Sequence, residues 1–465
     1  METQKNETDS RGRSFRREIG VFGGISIIAG IMIGSGIFYL GSYVLQRTHY
    51  NMGLALICWV VGGIVSILGG ICFAELGAAK PKAGGMVVYL DEAYHPIAGC
   101  MYGFSEWLVE SSGSIAAIAV AIPTALISFF PNMSQFEIKA FAIALIIIFT
   151  AYNCIGVKQV SVLQNVLLIA KLFPIVLIIV GALFIGSEQP KLQVVPVNAD
   201  GSPVSIVTML AMIAFATVAT LWAYEGWTNL NSVAEEIKNV QRNLPLSLII
   251  GIGGVGIIYV VFNFALYKVI PAAEIKGMIE SGNLYVGTEV AKRLFGNFGS
   301  ILVVTGMLVS MLGSLNGMTL AFSRIYYAMA VEGHFFKSHA KLSRRGVPSA
   351  ALISQAVIAI ILVCLRNLDQ LTSMVVFVGM IFNVMVVISV MIYRKKYPDM
   401  NRPYKVWGYP VTVIITIILF FSLMINDLME DPVTALIGLT VPAIGAAFYF
   451  YFEHRNKKEA ETEMK

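Results

Sequence analysis

Charge is what this sequence has least of. Only 13% of its 465 residues are Asp, Glu, Lys or Arg, about half the share of a soluble domain. Cysteine is scarce too, at five residues: Cys58, Cys72, Cys100, Cys154 and Cys364. None forms a CxxC pair and all fall in or beside apolar runs, so they read as small buried hydrophobes, and neither a disulfide nor a metal site is expected. The five histidines (His49, His95, His334, His339 and His454) are scattered, without metal-ligand or triad spacing, which speaks against an enzyme. No GxxxxGK[ST] loop is present, so nucleotide hydrolysis does not drive the protein and no cofactor is expected. The first 18 residues have neither an apolar core nor a cleavage site, so no removable signal peptide is read there. A net charge of +5 confined to loops and tails reads as membrane topology and not as nucleic-acid binding.

What is there is apolar: 57% of the chain is hydrophobic. Successive runs of about 20 residues or more can each cross a bilayer. Twelve spans are predicted, at roughly 20–46, 52–78, 96–128, 136–156, 161–186, 205–233, 245–270, 297–331, 349–366, 370–394, 408–427 and 433–453. The longer connections, 80–95, 187–204 and 271–296, have room for a short helix each. Of 33 Lys and Arg, 24 gather on the side of the N-terminus, among them Arg11, Arg13, Arg16, Arg17, Lys80, Lys82, Arg344, Arg345, Arg394 and Arg402. Eight fall on the other side and Lys171 lies inside a span. This bias predicts cytoplasmic termini in a cell membrane.

The first span, ISIIAGIMIGSGIFYL at 25–40, is loosened by Gly30, Gly34 and Gly36 around Ser35. Non-helical backbone at membrane depth is tolerated only where it lines a cavity or holds a ligand. The reading is a broken helix. The amides of Gly34, Ser35 and Gly36 would face an anion, a substrate carboxylate, with the following helix N-terminus adding partial positive charge. Carbonyls near Ile31 and Met32 would take an ammonium. The alternative is that the glycines only let another helix approach. The sixth span, VATLWAYEGWTNLNSVAEE at 218–236, is also interrupted by polar residues. Two disrupted segments five spans apart mark the binding site of a transporter built from inverted repeats. The domains are then a tail at 1–18, a first repeat at 19–186, an extracellular loop at 187–204, a second repeat at 205–397, two added spans at 398–453 and a tail at 454–465.

Several stretches together resemble the amino acid–polyamine–organocation superfamily, and within it bacterial relatives of the L-type amino acid transporters. They are IGSGIF at 33–38, FAELGAAKPKAGGMVVYLDEAY at 73–94, WAYEGWTNLNSVAEEIKNVQRNLPLS at 222–247, MLGSLNGMTLAFSRIYYAMAVEGHF at 311–335 and RPYKVWGYPV at 402–411. The resemblance covers nearly the whole chain. It implies an all-α membrane protein with the LeuT fold, 12 helices in a 5+5 inverted repeat with helices 1 and 6 broken, carrying amino acids by alternating access. Glu225 stands where relatives often have Gly or Asp, and Ser111-Ser112 where many have Arg-Pro. The loop FFPNMSQFE lacks the cysteine through which mammalian members join a glycoprotein, so no disulfide-linked heavy subunit is expected.

The carbonyls of Trp222, Ala223 and Tyr224 would complete the ammonium site. The resemblance places an outer gate at Trp222; an interfacial or core tryptophan is the alternative, and Trp227 reads as packing. Lys171, near the middle of the fifth span, is too deep to snorkel, and a charge there costs about 2.5–3.5 kcal/mol on the insertion scale. The resemblance implies that its ammonium replaces the sodium ion of sodium-driven relatives, bridging first-span carbonyls to Ser310 or Ser314. The alternative is an ion pair with Glu106 or Glu110. A Lys171 that stays charged implies sodium-independent exchange of neutral L-amino acids of small to medium size. One that can shed its proton would allow proton coupling. Glu110 and Glu225 are candidate coupling acids and speak for a cationic amino acid or polyamine carrier; Glu225 reads equally as a cap on exposed amides. Glu75 reads as structural, and Asn316 either as support for the site or as packing. A non-transporting amino acid sensor is the reading outside this class.

Overall fold

The computed structural model describes residues 17–463 apart from 18, 35, 83, 128–129, 131, 156, 198–201, 344–345 and 431. Its principal helices are α1 (Val21–Met32), α2 (Gly36–Arg47), α3 (Met52–Ala79), α4 (Met86–Ala93), α5 (Pro96–Ser105), α6 (Ser111–Leu126), α7 (Gln135–Asn153), α8 (Val157–Ile185) and α9 (Ile206–Tyr224). The chain continues with α10 (Asn229–Ser232), α11 (Val240–Tyr267), α12 (Ala272–Glu280), α13 (Val286–Val331), α14 (Ser349–Leu365), α15 (Leu368–Lys396), α16 (Val411–Glu430) and α17 (Pro432–Glu463). The described residues contain no strand beyond two isolated bridges, Ile19 with Ile237 and Val197 with Pro203.

Each of the twelve predicted apolar stretches lies on helix. Among the described residues, seven helices are alone long and apolar enough to cross a membrane, and the bent pair α1–α2, at 55°, makes eight. Shorter apolar helices lie at Ala170–Ile185, Ser349–Leu365 and Val411–Asn426. α13 is longer than predicted because its helix runs through a kink at Gly296, whose φ of 65° a residue with a Cβ seldom adopts. Of the three long connections, 80–95 holds α4, and 271–296 holds α12 and the start of α13. The 187–204 stretch has no helix among its described residues. Pro190, Pro196 and Pro203 withdraw amide donors from it, and it pairs with itself through Val204 N–H donating to Pro196 O. The predicted basic clusters within residues 1–16 and at Arg344 and Arg345 lie outside the described residues.

Small residues set the helix contacts, as expected where helices meet without water. α1 and α11 run parallel. A Cβ on Gly24 would strike Ser247, and one on Gly251 would press on Ile28. The Ser247 hydroxyl also donates to Val21 O at 3.1 Å. α3 lies against α9, with Gly62 over Thr220 and Gly63 over the Tyr224 hydroxyl. On the other side of α1, α8 and α13 run antiparallel. Gly306 meets Pro174, and Gly313 meets Leu167. That register leaves Lys171 facing Ser310 across the two helices. Between α5 and α6 the helix passes through one π turn, Glu106–Glu110.

Candidate functional site: two chain interruptions and a buried lysine

α1 ends at Ile33, whose φ of −77° and ψ of 78° close an inverse γ-turn, with Gly34 N–H donating to Met32 O at 2.8 Å. This corrects one expectation: the Gly34 amide is used within the turn and does not face a ligand. Ser35 lies outside the described residues. Gly36 opens α2, so its amide is among the first-turn donors that have no partner within the helix. Gly36 is also a packing glycine, since a Cβ there would come within 3.2 Å of the Ala223 backbone. A first-turn amide without a helical partner and a close approach thus coincide at one residue.

The carbonyls of this turn are held from outside. Lys171 is fully buried, and its ammonium donates to Gly30 O at 2.5 Å and Ile33 O at 2.8 Å. The Ser310 hydroxyl lies 2.9 Å from Ile33 O and 3.4 Å from Gly34 O. Ser314 is buried against Gly34, and its hydroxyl makes no hydrogen bond. Of the two serines, Ser310 makes the bridge. Of the two alternative partners for Lys171, Glu106 accepts from Tyr102 at 2.5 Å and from Ser111, and Glu110 Oε2 accepts no hydrogen bond.

The second interruption separates α9 from α10. Glu225 is extended (φ −68°, ψ 146°), and Gly226 takes a φ of 115°. Glu225 N–H donates to Trp222 O at 3.3 Å, and Gly226 N–H donates to Glu225 Oε1 at 3.2 Å. Asn229 Nδ2 donates back to Gly226 O at 3.3 Å. The Glu225 side chain therefore caps an exposed amide. A Cβ on Gly226 would run into Ile31, which sets the two interruptions against each other.

Sequence reasoning missed the residue that joins them. The Tyr259 hydroxyl on α11 lies 2.6 Å from Met32 O and 2.8 Å from Ala223 O. It is fully buried, edge-on to Trp59 at 5.3 Å and to Tyr224 at 5.2 Å. The carbonyls of Met32 and Ala223, expected to take an ammonium, share the one hydroxyl proton of Tyr259, and each keeps a second lone pair. Ile31 is buried in the seam, Tyr224 donates its hydroxyl to Trp59 O at 2.9 Å, and Trp222 O accepts one long bond. The only signal for Tyr259 in the sequence was a hydroxyl in an apolar run, which 18 other tyrosines weaken (19 in all).

Trp222 is half-buried at the floor of a cleft with Tyr39, Tyr43, Arg47, Leu368 and Thr372. Trp227, read as packing, is buried edge-on to Phe73 at 4.9 Å. Asn316 accepts from Asn153 at 3.3 Å in the core. Glu75 accepts both arms of Arg394, at 2.8 and 2.6 Å, and Val406 N–H at 2.7 Å, a structural anchor for α3, α15 and the approach to α16. Glu110 Oε2 is buried without a hydrogen bond. The five cysteines are free.

Comparison with known proteins bears on what this arrangement does. The family model described as amino acid permease matches residues 19–451. The chain is 30% identical to the b(0,+)-type amino acid transporter 1 of Mus musculus over 461 residues, covering 97% of this chain and 91% of that protein. It is 30% identical to the serine/threonine exchanger of Bacillus subtilis (strain 168), covering 95% and 98%. It is also 30% identical to the cystine/glutamate transporter of Homo sapiens, covering 95% and 86%.

Proposed function

The chain belongs to the amino acid permease family, and from that premise we propose that it exchanges small to medium neutral L-amino acids across the cell membrane, independently of sodium. The observation that carries this reading is the fixed cation at the first interruption. Lys171 sets its amino group on the carbonyls of Gly30 and Ile33, with Ser310 on the same turn, and this reading takes that group as charged throughout the cycle. A cation built into the chain takes the place a dissociable ion would have, so no ion gradient is drawn upon and each outward step needs a substrate.

In this reading the chain crosses the membrane twelve times, with both termini cytoplasmic and two inverted five-helix repeats. The helix pairs α1–α2 and α9–α10 are the broken spans of those repeats. The substrate carboxylate meets the Gly36 amide at the start of α2. Its ammonium meets the carbonyls of the second interruption, with Trp222 closing the outer side. The bundle of α1–α2, α3, α9–α10 and α11 rocks against the rest. The substrate and the lipid bilayer are its only partners, no disulfide-linked subunit is involved, and the protein is not an enzyme.

A second reading, a proton-coupled carrier of cationic amino acids or polyamines, draws on Glu110, whose buried Oε2 lacks a hydrogen-bond partner. Uptake of labelled amino acids into proteoliposomes separates the two. Uptake that requires internal amino acid and ignores sodium and proton gradients supports exchange. Uptake into empty vesicles driven by a proton gradient supports the second reading and overturns the first.

A further inference from the structure

Away from both interruptions, at the end of the molecule where α13 terminates, three side chains of metal-binding type converge. One ligand atom each from Asp91, Glu332 and His334 lies within 4.8 Å of the other two. We propose that they form a binding site for one divalent transition-metal ion of the zinc type, with water completing the coordination.

The backbone builds the site. α13 ends at Val331 with Glu332 as its C-cap, followed by Gly333 at a φ of 83°. Gly333 N–H donates to Ala330 O at 3.2 Å, and His334 N–H donates to Met329 O at 2.9 Å. This paired closure needs a left-handed residue at Gly333 and turns the chain back sharply. It brings His334 round beside Glu332. Asp91 is delivered by a different element, α4, which packs on α5. Gly99 of α5 makes room for it, because a Cβ there would overlap the Asp91 carboxylate. The His334 carbonyl is held by the Cys100 thiol at 3.8 Å, and its ring rests 5.6 Å from Tyr449. His95 stands against the same tyrosine at 5.7 Å.

The electrostatics point to a cation. A helix C-terminus carries partial negative charge and favours cations. Here it holds two carboxylates, Glu332 and Asp91, and Glu453 of α17 lies near enough to act on His334. Asp91 Oδ1 is shut off from solvent, with the Gly99 backbone as the hydrogen-bonding group beside this carboxyl. Arg455 reaches the carbonyls of Gly333 and Phe335, and Lys457 pairs with Glu453 at 2.9 Å. One imidazole nitrogen with two carboxylate oxygens is a donor set for zinc, cobalt or nickel; without the imidazole it would suit calcium or magnesium. The ligands were invisible to spacing rules because α4 and the end of α13 are far apart in the chain.

The test uses the full-length protein in detergent with any affinity tag removed. Zn²⁺ is titrated by calorimetry, and Co²⁺ by the visible absorption it gains on coordination. The expected result is one equivalent bound per chain, not displaced by millimolar Mg²⁺, and a raised Tm. Binding should weaken roughly tenfold or more in His334→Ala and in Asp91→Asn. Glu332 is exposed, so Glu332→Gln should weaken binding without disturbing the fold and serves if the half-buried variants do not purify. Absence of saturable binding, or a single equivalent bound undiminished in Glu332→Gln and His334→Ala, overturns the site. Transport activity plays no part in the readout.

Discussion

The two interruptions are built in opposite ways. The turn after α1 is held by donors from distant parts of the chain: Lys171 of α8, Ser310 of α13 and Tyr259 of α11. The break after α9 is closed by its own neighbours, Glu225 on Gly226 and Asn229 on Gly226, while distant ties fall on the helix ends beside it, from Tyr259 to Ala223 O and from Tyr224 to Trp59 O. A turn secured by three other helices reports their positions and moves when they move. A turn secured locally keeps its shape and presents a surface. In the proposed function both hold substrate, and the first also answers to the helices around it.

Substitutions can break this comparison. The largest effect is expected from Lys171→Ala. It removes two charge-assisted bonds worth about 1.5–3 kcal/mol each, and exchange in proteoliposomes should fall by about 100-fold with expression retained. Full activity would sink the coupling role. Tyr259→Phe leaves Met32 O and Ala223 O without a shared donor, at a cost of about 1–3 kcal/mol. Exchange should slow about tenfold, and Tm should drop. If only Tm moved, the bridge would be structural alone. Trp222→Ala should widen the range of amino acids that compete for uptake, with a smaller loss of rate; an unaltered competition profile argues against a gate. Ser310→Ala should cost about 1 kcal/mol in stability and several-fold in rate, whereas Ser314→Ala, which breaks no hydrogen bond, should stay within about 0.5 kcal/mol. Equal effects at the two serines would contradict the bridge drawn here. Glu225→Gln keeps an amide oxygen for the Gly226 N–H and should change transport least if the side chain is a cap.

Much of this was legible in the sequence, for identifiable reasons. A lysine at membrane depth is costly enough to announce itself, and Lys171 does bond the first interruption. Apolar length gave the helices, and polar residues inside apolar runs gave the breaks. What escaped was whatever depended on which atoms meet. The γ-turn that uses the Gly34 amide follows from local torsion angles and not from composition. The partition between Ser310 and Ser314 follows from a helix register fixed at Gly306 and Pro174. The Tyr259 hydroxyl, one among many, gains its position from α1 and α11 running parallel. The prolines of 187–204 were not weighed when room for a helix was allowed there, and they leave its described residues without one.

The π turn at Glu106–Glu110 has a consequence of phase. A π turn houses one residue more than an α turn, and one residue is worth about 100° of helical rotation. Everything downstream on α6 is therefore dialled round relative to α5. α6 is buried at 14 of its 16 residues, so the rotation cannot move a side chain from core to lipid. It reassigns which neighbour each one meets. Ser111 reaches back to Glu106, and Ser112 reaches Trp107 O at 2.6 Å and Gln355 O at 3.3 Å. The surplus residue works as an indexing notch: removing it would leave the helix intact and its composition almost unchanged, yet every contact of α6 would be offset by one position.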